Sequence, residues 1–372
     1  MRVGKYLGAL VGAAAAVALI GAPHLAHADA MADAEALIKA HQVPPDYKDP
    51  GPAFDAKACM KDKKMLTIPL TMANPFNAEI AKAMQAAAAE VGFELKVWEN
   101  QLKIDQWVQG MAAAEAGGYS LIDLQGGIPP AALGPQIDQA RAKGIKVTTT
   151  HLYDVTQELP TNLDGSARMN YTMAGKLMAS WAFTRTGGKP NVVIIGSDEI
   201  VPTAPFVKSI QDTLKSYCPD CKQQYFNVPV TEWATKIQPS VQSALVADPS
   251  INFILPIYDS MSQFIVPALR ITNRLGDVKI ASYNGTPFVL DMVRNGEVDM
   301  DVGESLGWIG YAGIDVNMRI LCGVTPPVMD LNTPLYIFDA SNIKSAGEPA
   351  NFHSGYGDKH LAGFRKLWGL EK

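Results

Sequence analysis

The sequence predicts an α/β protein: two doubly wound, Rossmann-like lobes joined by a multi-strand hinge. Three observations carry this. Short apolar, β-branched runs alternate with helix-period runs, the pattern of a parallel sheet covered by helices. The alternation occurs twice along the chain, with strand starts roughly 30 residues apart, the size of a βαβ unit. Runs such as Val192-Val193-Ile194-Ile195 and Phe253-Ile254-Leu255 are continuously apolar, as strands buried on both faces must be.

Taken in order, residues 1–28 read as an export signal. Arg2 and Lys5 precede an apolar run over 7–20, and Ala26-His27-Ala28 fits a small-x-small cleavage site, with Ala28-Asp29-Ala30 as a second choice. The apolar run is short of the ~20 residues that a membrane span needs. The exported chain is therefore expected to be soluble in the periplasm. Residues 29–62 hold the X-Pro steps Val43-Pro44, Asp49-Pro50 and Gly51-Pro52 and one short helical run at 33–41. They are expected to form an N-terminal extension, packed along the first lobe or partly loose.

The first lobe is expected over 63–160 with a return at 305–330. Its strands fall at 65–71, 93–98, 120–125 and 145–150. The helix over 78–91 puts Ile80, Met84, Ala87 and Val91 on one stripe and stops at Gly92; those over 104–116 and 130–143 stop at Gly117 and Gly144. A polar stretch over 157–168 is the expected crossover. The second lobe takes 161–304 and part of 331–372, with strands at 191–196, 224–228, 251–257 and 278–283. Pro239 predicts a kink or break in its second helix. A helix over 308–321, the pair Pro326-Pro327, a strand at 335–339 and a polar tail complete the chain, the last elements crossing back over the hinge.

At 48% hydrophobic and 19% charged, the 372 residues suffice for a buried core in each lobe. The net charge of −5, about −7 once Arg2 and Lys5 leave with the leader, argues against nucleic acid as a partner. All four cysteines follow the leader. Cys218 and Cys221 form a CxxC at the end of an amphipathic run, where a helix dipole does not lower a thiol pKa, and no second pair completes a zinc site. A local structural disulfide is expected, with Cys59 and Cys322 as the candidate second pair. No metal or cofactor is implied, and a monomer is expected.

Four short motifs give the chain a family resemblance. Asn74-Pro75-Phe76 follows the first strand, Tyr258-Asp259 follows a strand of the second lobe, Tyr283-Asn284-Gly285-Thr286-Pro287 follows the next, and Gly296-Glu297 turns into the last. In this order, over about 65–325, the chain resembles the type I periplasmic substrate-binding proteins of ABC importers, the ribose- and galactose-binding kind. The resemblance implies a receptor that closes on a small ligand and delivers it to an inner-membrane permease. Binding residues then sit just past strand ends, where loops enter helices. On the first lobe these are Asn74, Phe76, Asn77 and His151. On the second they are Thr203, Phe206, Trp233, Tyr258, Asp259 and Asn284, with Glu304 and Trp308 at the crossover.

Each position also has a structural role open to it: Asn74 as a helix cap, Phe76, Trp233 and Tyr258 as packing, His151 as a backbone-bonded histidine. Sugar-binding relatives commonly carry an Asp, often with Arg, at His151-Leu152, an Arg near 203–206, an Asn at Tyr258 and an Asp at Asn284. With Thr, Phe and Tyr instead, the site is more apolar and makes fewer charge-assisted bonds to hydroxyls. The expected ligand is a neutral sugar, deoxysugar or polyol. Alternatives are an aromatic or cationic molecule held by aromatic rings beside Asp259 and Glu304, and a sensor docking on a chemoreceptor or receptor kinase. An enzyme is disfavoured: the chain has no Gly-x-Ser-x-Gly or dinucleotide fingerprint, and Gly187-Gly188-Lys189 lacks P-loop spacing. The secretion signal disfavours a transcriptional regulator.

Overall fold

The computed structural model describes Met1, residues 22–324 and residues 333–371. The apolar core of the expected export signal and Pro326-Pro327 lie outside the described residues. The expected cleavage site falls inside the first helix, α1 (Ala22–Ala40), which is followed by a short α2 (Ala56–Met60).

The first lobe runs β1 (Lys64–Pro69), α3 (Pro75–Val91), β2 (Glu94–Val97), α4 (Ile104–Gly117), β3 (Leu121–Gln125), α5 (Gly134–Ala142), β4 (Lys146–Asp154) and β5 (Gly165–Met169). Its five strands are all parallel, in the order β2-β1-β3-β4-β5. The second lobe runs α6 (Tyr171–Arg185), β6 (Asn191–Gly196), α7 (Thr203–Tyr217), β7 (Lys222–Asn227), α8 (Trp233–Ala247), β8 (Phe253–Pro256), α9 (Ser262–Ile271), β9 (Lys279–Asn284), α10 (Pro287–Arg294) and β10 (Met300–Glu304). The chain then returns through α11 (Leu306–Cys322), β11 (Leu335–Asp339) and α12 (Lys359–Leu367). The second sheet has the order β11-β10-β9-β8-β6-β7, parallel except for β11, which pairs antiparallel to β10. Each sheet therefore winds outward in both directions from its first strand, and helices cover both faces.

Three expectations change. The polar stretch over 157–168 is not a simple crossover, because its second half is β5, which extends the first sheet to Met169 and moves the lobe boundary beyond 160. Polar residues in this buried strand are satisfied inside the protein: Thr149 Oγ1 donates to Ser166 Oγ at 2.7 Å, and Arg168 donates to the Gln157 carbonyl at 2.6 Å. Pro239 does not break α8, since Ile237, Val241, Ala244 and Leu245, buried on either side of it, hold the helix across the missing backbone bond. The N-terminal extension is not confined to the first lobe. Its helix α1, through buried Ala34 and Ile38, packs on α6 and α7 of the second lobe. The chain then crosses to the first, where the Phe54 and Ala56 amides donate to the Leu367 and Trp368 carbonyls.

Helix α11 is the spine of the hinge. It leaves the second sheet at Glu304, packs against α3 and the first sheet, and buries Asp315 and Arg319, which bond each other at 2.7 Å. Gly310 allows the close approach to α3: a Cβ there would lie 2.5 Å from the Ala83 side chain. Cys322 at its end joins Cys59, and Cys218 joins Cys221 directly after α7, so both expected disulfides form. No described helix is long and apolar enough to cross a membrane.

Candidate functional site

The carboxyl ends of the strands in both lobes face a cavity of about 100 Å³. The first lobe lines it with Leu70, Asn74, Phe76, Asn77, Gly126, Gly127 and His151. The second supplies Tyr171, Ile200, Pro202, Trp233, Tyr258, Asp259, Ser260, Asn284 and Thr286. The parallel order of each sheet explains the placement, since every βα turn leaves its strand on the same edge.

On the first lobe, Asn74 caps α3, its Oδ1 accepting the Phe76 N–H at 3.0 Å, and it also lines the cavity. Asn77 is buried; its backbone carbonyl accepts from Gln125 at 2.9 Å, and its side chain makes no bond among the described residues. Gln125, beneath it, keeps an unpartnered Oε1. His151 sits where the pairing of β4 with β5 loses register, in left-handed backbone with φ of 58°. That bulge turns the ring out of the ladder and into the cleft. Phe76 packs edge-on against it, ring centroids 5.0 Å apart.

His151 is the junction between the lobes. Its Nε2 meets Glu304 Oε1 at 2.7 Å, and its Nδ1 meets the Tyr171 hydroxyl at 3.1 Å. Glu304 also accepts from the Tyr283 hydroxyl at 2.6 Å and from Asn284 Nδ2 at 3.1 Å. Asn284 too departs from ordinary backbone, with φ of 145° ahead of Gly285. Glycine is required at 285, because a Cβ would stand 2.4 Å from the Tyr356 hydroxyl. Burial raises the Tyr171 and Tyr283 phenols well above their ordinary range, with the charge of Glu304 adding to it, so both stay protonated.

The second lobe's aromatic wall is Trp233 stacked on Tyr258, centroids 6.1 Å apart and planes 24° apart. The indole N–H donates to Ser197 Oγ at 2.9 Å and to the Val228 carbonyl at 3.1 Å. Thr203 Oγ1 gives its proton to the Ser197 carbonyl at 2.7 Å, so the Tyr258 hydroxyl, 3.0 Å away, donates to Thr203. Asp259 accepts from the Thr286 N–H and hydroxyl and from Ser260, which fixes the turn into α10. Burial, followed by the nearby charge of Asp301, drives its carboxyl well above the usual range.

Four of the residues expected at the site lie off the cavity wall. Thr203 stands behind Tyr258 as its acceptor. Phe206 is fully buried between Tyr171 and Tyr283, because the helix face that carries it turns into the core. Glu304 lies beneath the floor, behind His151 and Asn284. Trp308 points away from the cleft and stacks on His360, since α11 turns that face toward α12. Tyr171 falls outside the sequence-based site because β5, which precedes it, reads in the sequence as part of the polar crossover. Gly126 and Gly127 follow β3 and obey the same strand-end rule as the residues that were named. Among the described residues no cluster of His, Cys, Asp or Glu suits a metal ion.

The sequence profile of the periplasmic binding protein domain matches residues 66–325. Among solved structures, an ABC transporter solute-binding protein from Agrobacterium vitis with bound allitol superposes with a TM-score of 0.67 at 19% identity, over 77% of this chain and 98% of its own. A second Agrobacterium vitis solute-binding protein, bound with α-D-tagatopyranose, gives 0.68 at 16% identity, over 79% and 100%. One from Bacillus halodurans with bound myo-inositol gives 0.65 at 14%, over 77% and 98%. At these identities the likeness shows the fold, the type I periplasmic binding fold. No curated protein sequence matches the chain.

Proposed function

The chain belongs to the periplasmic binding protein family, and from that premise we propose that it is a periplasmic receptor for a small neutral sugar, deoxysugar or polyol, which it captures between its lobes and delivers to an ABC permease of the inner membrane. The observation that carries this reading is the cleft itself: an interlobe cavity at the strand ends, walled by Phe76, Trp233 and Tyr258 and floored by His151 and Asn284. Aromatic faces suit the C–H surface of a ring, and amides suit hydroxyls. The cavity of about 100 Å³ is below the usual 300–1,000 Å³ of drug-sized sites, which favours a compact ligand. The solved relatives bound to allitol, tagatopyranose and myo-inositol support the same class.

A cation held in an aromatic box has less support. Both carboxylates that would face it are engaged, Asp259 with Thr286 and Glu304 with His151. The export reading adds that the leader is removed after Ala28 and the chain released to the periplasm. N-terminal sequencing of the exported protein is then expected to begin at Asp29, or at Met31 for the second site.

Thermal shift of the mature protein against sugars, polyols, aromatic acids and quaternary amines tests the ligand class, because a ligand that binds only the native state raises the melting temperature with concentration. Carbohydrates or polyols are expected to shift it, and Asn284→Ala or Trp233→Ala to abolish the shift. A shift with an aromatic acid or amine and with no carbohydrate would overturn the assignment. Loss of ligand uptake on deleting the gene separates transport from a purely sensory role.

A further inference from the structure

We infer that this site selects a ligand that lacks a hydroxyl on the face it turns to the second lobe, and that Glu304, out of reach of the cavity, is the positioning residue that makes it do so. The inference rests on the sugar- or polyol-receptor reading and concerns which member of that class fits.

The two walls differ in what they have left to offer. On the first lobe, the Nδ2 group of Asn74 and the whole side-chain amide of Asn77 have no partner among the described residues. On the second, the side-chain protons are already given away: the Trp233 indole to Ser197 and Val228, the Tyr258 hydroxyl to Thr203, the Ser260 and Thr286 hydroxyls to Asp259. Only part of the Asn284 amide is left, since one of its N–H groups goes to Glu304.

The floor completes the asymmetry. His151 belongs to the first lobe, yet both its nitrogens are held by the second, Nε2 by Glu304 and Nδ1 by Tyr171. A carboxylate accepts, so Nε2 carries a proton directed away from the ligand whether the ring is neutral or cationic. The ring therefore offers the cavity carbon atoms. Glu304 is 2% exposed and takes His151, Tyr283 and Asn284 together, which fixes the floor before any ligand arrives. Away from the remaining Asn284 N–H, the oxygen of a ligand hydroxyl turned toward this wall loses its water and gains no side-chain donor, a cost that its replacement by hydrogen removes.

The experiment titrates the mature protein calorimetrically, first with parent sugars and cyclitols, then with the complete monodeoxy series of the parent that binds best. At least one monodeoxy compound is expected to bind about tenfold more tightly than its parent, the scale on which an apolar surface discriminates a single hydroxyl. In Glu304→Ala and in Tyr171→Phe, which free His151 nitrogens to meet a hydroxyl, that preference is expected to fall to about onefold while the parent still binds. Tyr171→Phe keeps the test decisive if Glu304→Ala does not fold. Weaker binding by every monodeoxy compound, or an unchanged preference in Tyr171→Phe, would overturn the inference and leave the receptor reading intact. Absence of binding by any sugar or cyclitol would overturn both.

Discussion

The two walls of the cleft come from sheets of the same winding order, yet one is chemically open and the other closed. The first lobe presents Asn74 and Asn77 with amide groups to spare, above an unpartnered Gln125 oxygen. The second presents rings whose polar atoms are bonded behind the wall, to Ser197, Val228 and Thr203. A repeated fold therefore presents two kinds of wall to the cavity: hydrogen-bond capacity from one lobe, shaped aromatic surface from the other. His151 crosses between them and is held by the closed side.

The largest expected effect breaks this comparison at its open side. Asn74→Ala combined with Asn77→Ala is expected to weaken ligand binding about 100-fold, because two hydrogen bonds to a desolvated ligand are lost together. Calorimetric titration measures it; a loss under threefold would mean that the first lobe is not the polar wall.

A second test asks how far the sheets themselves are alike. Asp123, on β3 of the first sheet, accepts from Thr67, Thr148, Thr150 and Asn317, and burial lifts its carboxyl to about 6. Asp301, on β10 of the second, is bonded to Ser282 and the Gly285 N–H, and burial lifts it likewise. A carboxyl raised in the folded state favours folding most below its unfolded value near 4, and that contribution is lost as pH rises through about 6. A carboxyl lifted that far corresponds to roughly 3 kcal/mol. Asp123→Asn is expected to remove that share of the decline between pH 4 and pH 7 in urea unfolding; an unaltered slope would show that Asp123 does not titrate there.

The smallest effect sharpens the closed side. Trp233→Phe keeps a ring on the wall and deletes an N–H that faces Ser197 rather than the ligand. Affinity is expected to change less than about threefold, within the range of a lost stacking increment. A loss as large as that of the asparagine pair would show that the indole N–H reaches the ligand.

Much of this molecule was legible in its sequence because local chemistry settles local structure. Alternating apolar and helix-period runs, with glycine at helix ends, place most strands within a residue or two, though β4 runs on past its expected end at 150 to Asp154, and they name half of the cavity wall, from Asn74 through Asn284. Strand β5 escaped because its polar residues are bonded inside the sheet, and Tyr171 escaped with it. Pro239 misled because a buried stripe outweighs one missing backbone bond.

What the sequence determined by itself is the set of strand ends, since a parallel βαβ unit must deliver its turns to one edge. Which of those residues line the interlobe cavity was decided only by tertiary structure. Glu304 and His151 are 153 residues apart, and their bond depends on how one lobe docks on the other. Side-chain commitment is a property of neighbours brought together by folding, and no spacing along the chain encodes it.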